Sequence, residues 1–270
     1  MHFTSSIIVA AGLRFNVVTA GMAGSGAPPL LMLNGIGFGA GMLERLAAAL
    51  PGRQIVCPDM PGCGGSPGPK VPYLMPCMAK AVLDIMERLH PGAPFDCFGF
   101  SWGGALAQQI AVQAQSRVAR LLLIATTSGI PLPVGDPAIF ARLLDVREYA
   151  DASRMRDAFA AMMREGGASA GLLQQFQTPD PTGVAAQLGA ISGWSVAALL
   201  PFVRVPVLLI GMADDPVVPI AHQRALSCLI PQARTMELRN GGHLVPLASP
   251  ARITQRILAF LNDGKAEAAA

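Results

Sequence analysis

Ser101 lies between two glycines in Gly99-Phe100-Ser101-Trp102-Gly103. The apolar run Phe95-Asp96-Cys97-Phe98 precedes it and the helix-forming Gly104-Ala105-Leu106-Ala107-Gln108-Gln109-Ile110 follows. A strand that turns this sharply into a helix forces the serine into strained backbone angles. A Cβ at either flanking glycine would then collide with the neighbouring strand or helix. The hydroxyl is left exposed at a helix N-terminus, where backbone N–H groups and the helix dipole favour developing negative charge. That is the setting of an activated nucleophile. A chain with 29 glycines in 270 residues supplies such a string by chance often enough that the strand–turn–helix context has to carry the inference.

A serine hydroxyl needs a base to take its proton, and histidine has the appropriate pKa. Of the four histidines, His2 is terminal and His90 precedes Pro91-Gly92 at the edge opposite the strand ends. His222 falls within a helical run, where a surface role is expected. His243 follows Gly241-Gly242 just beyond the last expected strand, and its loop returns to the edge that bears Ser101. The base in turn needs a carboxylate to hold its tautomer and stabilise the imidazolium. Asp214-Asp215 directly follows the apolar run Val205 to Ile210. Asp215, ahead of Pro216-Val217-Val218-Pro219, is favoured as the acid and Asp214 as a turn residue, although the spacing leaves the pair open. The oxyanion formed in ester cleavage is best met by fixed backbone N–H groups. One is expected from Trp102, immediately after the nucleophile. The second is expected from Ile36, in the turn Asn34-Gly35-Ile36-Gly37, whose glycines let the backbone fold inward.

These residues need a scaffold that brings them to one edge. Ser6 to Val9 and Leu13 to Val18 read as a hairpin. Leu30 to Leu33, Gln54 to Cys57, the Phe95 run, Leu121 to Ala125, Val205 to Ile210 and Arg234 to Leu238 read as further strands. Helices are expected over Met42 to Leu50, Met78 to Leu89, after Ser101, near Ala221 to Leu229, and over Ser249 to Leu261. Continuous apolar strands alternating with helices predict an α/β fold with a mostly parallel, doubly wound sheet, covered on both faces, with ligands at the carboxyl ends of the strands. The rhythm breaks after the sixth strand. Residues 129–201 carry helical stripes (Phe140, Leu143, Leu144; Met155, Phe159, Met162, Met163), with more helix through Leu188 to Leu200. That length predicts a helical cap inserted into a core of residues 1–128 and 202–264, with some of the stripes lining a pocket beneath it. Residues 265–270 are expected to be a frayed tail.

Composition narrows the class. Hydrophobic residues make up 52% and charged residues 14%, yet no apolar run approaches the roughly 18–20 residues of a membrane span. The excess apolar surface fits buried parallel strands, a greasy cavity, or a face that adsorbs to lipid-like material. A net charge of +3 without a basic cluster argues against a nucleic-acid partner. The N-terminus reads as a hairpin strand rather than a signal peptide. Five cysteines without C-x-x-C spacing point to reduced, mostly buried thiols in a cytoplasm. Neither a metal nor a cofactor is expected.

On these residues the chain resembles the α/β-hydrolase superfamily over nearly its whole length. More narrowly, it is similar to the intracellular poly(3-hydroxyalkanoate) depolymerases of the medium-chain-length type. The narrower likeness rests on Leu33-Asn34-Gly35-Ile36-Gly37, where most superfamily members carry His-Gly, and on Asp59-Met60-Pro61-Gly62-Cys63-Gly64-Gly65-Ser66. It rests also on Ser101-Trp102-Gly103-Gly104-Ala105-Leu106-Ala107-Gln108-Gln109, Asp214-Asp215-Pro216 and Gly241-Gly242-His243-Leu244. The resemblance implies a serine hydrolase that cleaves ester bonds of a stored polyester at intracellular granules, with Ser101, Asp215 and His243 as its triad. A small-molecule carboxylesterase, a lactonase, a C–C bond hydrolase and a cofactor-free perhydrolase use the same triad on this fold. A ligand receptor without catalysis is the alternative from another class.

Overall fold

The computed structural model describes residues 1–21, 24, 26–163 and 169–263; the tail expected over 265–270 lies outside them. The chain forms strands β1 (Phe3–Ala10), β2 (Leu13–Ala20) and β3 (Leu30–Leu33), helix α1 (Glu44–Ala48), strand β4 (Ile55–Pro58) and helix α2 (Met75–Leu89). Strand β5 (Phe95–Phe100), helix α3 (Trp102–Gln113) and strand β6 (Val118–Ile124) follow. Then come helices α4 (Pro137–Leu144), α5 (Ala152–Met163), α6 (Ser169–Leu173) and α7 (Pro181–Ile191). The chain closes with β7 (Val207–Met212), α8 (Ile220–Leu229), β8 (Arg234–Leu238), α9 (Val245–Ala248) and α10 (Ala251–Asn262).

The strands make one eight-stranded sheet in the order β1-β2-β4-β3-β5-β6-β7-β8. The β1–β2 hairpin is antiparallel and joins β4 in the antiparallel sense, while every pairing from β4 to β8 is parallel. The apolar runs are continuous because both faces are covered. Leu30 and Met32 of β3 enter one core layer, and Leu31 and Leu33 enter the other. Leu122 and Ile124 part from Leu121 and Leu123 in the same way on β6, as the two-residue period of a strand requires. Helix α2 closes one face with Met75, Met78, Ala79, Val82, Ile85 and Met86 buried, a stripe at three- and four-residue spacing.

Local chemistry sets the remaining boundaries. Helix α4 begins at Pro137 with Asp136 accepting from the Ala138 and Ile139 N–H groups. Helix α7 begins at Pro181 with Asp180 accepting from Thr182, so each start combines an N-cap carboxylate with a proline at the first helical position. Three expected helices differ from the structure. The one over Met42 to Leu50 is a 3-10 turn at Ala40–Leu43 followed by only five α-helical residues. The Ala40 N–H at the start of that turn donates to the Asp59 carboxylate at 2.6 Å, tying it to the loop after β4. Helix does not run through Leu188 to Leu200: α7 stops at Ile191, where Ser192 is extended and Gly193 turns left-handed at φ +69°. The last helix starts at Ala251 rather than Ser249, because the residue before Pro250 is driven out of helical angles, and the short α9 over Val245–Ala248 precedes it.

Candidate active site

The parallel strands deliver their carboxyl ends to one edge, and the chemistry collects there. Ser101 follows β5 at φ +53° and ψ −119°, a left-handed conformation for a residue with a side chain. Its backbone is held from three sides: the N–H donates to Ile124 O, while its carbonyl accepts from Gly104 N–H and from the Thr126 hydroxyl at 2.7 Å. The turn closes only around glycine. A Cβ on Gly99 would lie 2.5 Å from Gly104 Cα, and one on Gly103 would lie 2.6 Å from the Asn34 carbonyl. Because those neighbours are backbone and cannot yield, Gly99→Ala is expected to lower stability by roughly 2–4 kcal/mol. Urea unfolding of the variant beside the parent measures it.

His243 stands on the loop between β8 and α9. Its Nε2 lies 3.0 Å from Ser101 Oγ and its Nδ1 lies 2.7 Å from Asp215 Oδ2. In the tautomer whose Nδ1–H donates to the carboxylate, Nε2 can accept a hydrogen bond from the serine hydroxyl. Asp215, 5% exposed, accepts through its other oxygen from the Val217 and Val218 N–H groups at 2.8 and 2.9 Å. Asp214 points elsewhere and does more than make a turn. Its carboxylate accepts from Gly241 and Gly242 N–H and pins the loop that presents His243. That loop is also tied to α5, since His243 N–H donates to Met162 O at 2.8 Å.

Ile36 and Trp102 both line the cavity beside Ser101. Gly35 N–H donates to Asn34 Oδ1 and Gly37 N–H to Gln187 Oε1. The Ile36 and Trp102 N–H groups meet no acceptor among the described residues. The cavity measures about 380 Å³, and its walls are mostly apolar: Phe38, Phe140, Leu143, Tyr149, Met155 and Leu188 contribute. Of the expected stripes, Phe140, Leu143, Leu144, Met155 and Met162 reach this cavity. Phe159 instead packs against Phe38 and Phe176.

His222 departs from its expected place on a helix surface. It is nearly buried, with Nδ1 3.0 Å from the Thr127 hydroxyl, and Thr127 lines the cavity. Burial pushes its imidazole below the ordinary value, against smaller opposing effects of the Pro133 carbonyl and Asp215, so it sits as a neutral ring. All five cysteines are free thiols: Cys57, Cys63 and Cys97 are buried, Cys77 and Cys228 exposed. Burial pushes the Cys63 thiol up to about 12, which leaves it protonated and unreactive.

The sequence model described as alpha/beta hydrolase fold matches residues 28–250. The chain belongs to the alpha/beta hydrolase fold family. A poly(3-hydroxyalkanoate) depolymerase from Ectopseudomonas oleovorans is 30% identical over 254 residues, covering 89% of this chain and 86% of that protein. A pimeloyl-[acyl-carrier protein] methyl ester esterase from Aromatoleum aromaticum is 29% identical over 248 residues, covering 83% of this chain and 94% of the relative. Among solved structures, the enol-lactonase from Burkholderia xenovorans LB400 superposes with a TM-score of 0.82 at 24% identity, covering 96% of this chain and 100% of that one. At that identity the likeness is one of fold. As an alpha/beta hydrolase the chain has the expected mostly parallel sheet, and helices α4 to α7 lie between β6 and β7. Among the described residues no helix is long and apolar enough to cross a membrane.

Proposed function

We propose that the protein is a serine ester hydrolase whose substrates are poly- or oligo(3-hydroxyalkanoates). The observation that carries the reading is the hydrogen-bonded series Asp215–His243–Ser101 opening onto an apolar cavity. Ser101 Oγ attacks the ester carbonyl as His243 Nε2 takes its proton, and Asp215 stabilises the imidazolium. The oxyanion lies against the N–H groups of Ile36 and Trp102. His243 then protonates the departing alcohol, and water activated by the same imidazole releases the acyl group from Ser101. Residues 129–201 act as a cap over a core of 1–128 and 202–264, supplying Phe140, Leu143 and Met155 to the acyl-binding wall.

The polyester is favoured by two features, the 30% identical depolymerase relative and a cavity wall with little to hydrogen-bond a polar acyl chain. On this reading the enzyme works at the surface of cytoplasmic polyester granules. The test is release of 3-hydroxy acids from amorphous granules, run beside a chain-length series of 4-nitrophenyl esters. Acid release that rises with time supports the proposal. Turnover of the soluble esters with inert granules assigns the protein to the small-ester esterases instead, the reading that the methyl ester esterase relative favours.

A further inference from the structure

Gln187 lies on α7, in the helical segment, and is wholly buried. Its side-chain Oε1 accepts the Gly37 N–H at 2.8 Å, and its own carbonyl accepts the indole Nε1–H of Trp102 at 2.9 Å. One residue therefore bonds both segments that carry the free N–H groups, Ile36 just before Gly37 and Trp102 itself. On the first segment the peptides are pinned alternately, with Gly35 N–H on Asn34 Oδ1, Gly37 N–H on Gln187, and the Ile36 N–H between them left beside the cavity. Asn34 Nδ2 fixes the same turn from the other side by donating to Gly39 O at 2.7 Å.

The glutamine is not there to fill volume. Its Nε2 is buried without an acceptor among the described residues, and the amide cannot flip, because that would set its NH2 against the Gly37 N–H. A methionine or leucine would occupy the space without stranding a donor. What they lack is the oxygen that Gly37 requires. Gly37 itself sits at φ +72° with the Tyr149 ring 2.8 Å from where a Cβ would be, so the turn that presents this N–H is built around a glycine.

We infer that Gln187 is a positioning residue for the oxyanion donors, through which the helical segment aligns the Ile36 and Trp102 N–H groups. The inference rests on the serine-hydrolase reading above. Donors aimed at a developing oxyanion act through geometry, and the complete loss of one costs about 10²–10³ in kcat. Misaligning them by releasing one anchor lowers kcat by about 10- to 100-fold, with KM little changed because the ground-state carbonyl gains less from the hole.

Gln187→Met keeps the volume and removes the acceptor, while Gln187→Glu keeps an oxygen for Gly37. Both are measured on a soluble ester against two inhibitors. In an alkyl boronic acid, Ser101 Oγ bonds boron as its proton passes to His243, giving a four-coordinate anionic boronate whose oxygen occupies the hole. An N-alkyl amide of the same chain length binds without adding to the serine. Gln187→Met is expected to lower kcat by about 10- to 100-fold and to weaken the boronic acid by the same factor, leaving KM and the amide within about threefold of the parent. Gln187→Glu is expected to restore most of kcat. Parental kcat in Gln187→Met, equal weakening of both inhibitors, or no rescue by Gln187→Glu overturns the inference. If Gln187→Met does not fold, Trp102→Phe removes the indole anchor while keeping the backbone N–H. The same split between inhibitors is expected there, and its absence overturns the role. A parent that neither hydrolyses the ester nor labels with a fluorophosphonate overturns the serine-hydrolase reading itself, a failure seen without any Gln187 variant.

Discussion

Ser101→Ala is expected to lower kcat on a 4-nitrophenyl ester by roughly 10⁴- to 10⁶-fold, with KM close to that of the parent. The size follows from what the hydroxyl does in the proposed reaction: it is the atom that bonds to carbon. The residual rate comes from the oxyanion donors and from substrate held against the cavity wall. KM is spared because that wall is apolar and is built by other residues, Phe140, Leu143 and Met155 among them. Fold is spared too, since the hydrogen bonds that hold Ser101 at its left-handed angles use its backbone and not its Oγ. Steady-state kinetics together with fluorophosphonate labelling check the result. Near-parental hydrolysis by the alanine variant would remove Ser101 from the mechanism.

Asp215→Asn carries the second large effect, a fall in kcat of about 10⁴-fold with the protein still folded. An asparagine that keeps its oxygen toward the Val217 and Val218 N–H groups turns its NH2 toward His243 Nδ1. The imidazole then accepts at Nδ1 and carries its proton on Nε2, which points at Ser101 and is useless as a base. Asp214→Asn provides the contrast. Its carboxylate holds the Gly241 and Gly242 N–H groups, and an amide oxygen can retain the shorter of these bonds. A loss of about tenfold or less is expected, from a looser His243 loop. Comparing the two variants on one substrate decides which aspartate orients the imidazole. Equal losses would sink the assignment.

Much of this was legible in residue order. Runs such as Leu30 to Leu33 could be read as strands because burial on both faces leaves no polar position to blur the pattern. The proximity of His243 and Asp215 to Ser101 could be read because parallel strands send their following loops to one edge, which turns chain order into proximity. The same logic failed where a role depends on a distant partner. Gln187 looks like a helix-forming residue among alanines and leucines, and its acceptor role exists only because Gly37, 150 residues away in sequence, brings an unpaired N–H to it. His222 reads as helix surface from periodicity, but its side of α8 faces Thr127 and is covered. Asp214 and Asp215 are adjacent and chemically identical, and only the two pairs of N–H groups they meet tell them apart. The late start of the last helix reflects a single local event at Pro250 that a periodic pattern averages away.

The sheet order has a consequence for how the molecule reaches its working form. The serine, the aspartates and the histidine come from the ends of β5, β7 and β8, and the Asn34 turn comes from β3, so the central strands must be in register before the constellation exists. Ser101 and His243 are separated by 142 residues, and the chain between them includes the whole helical segment. Pairings of such sequence separation are slow, because loop closure must be paid before the contact is made. During refolding, helicity therefore returns before the site does. No fragment ending before β8 contains the set, which makes the assembled site a readout of a late long-range closure in the chain.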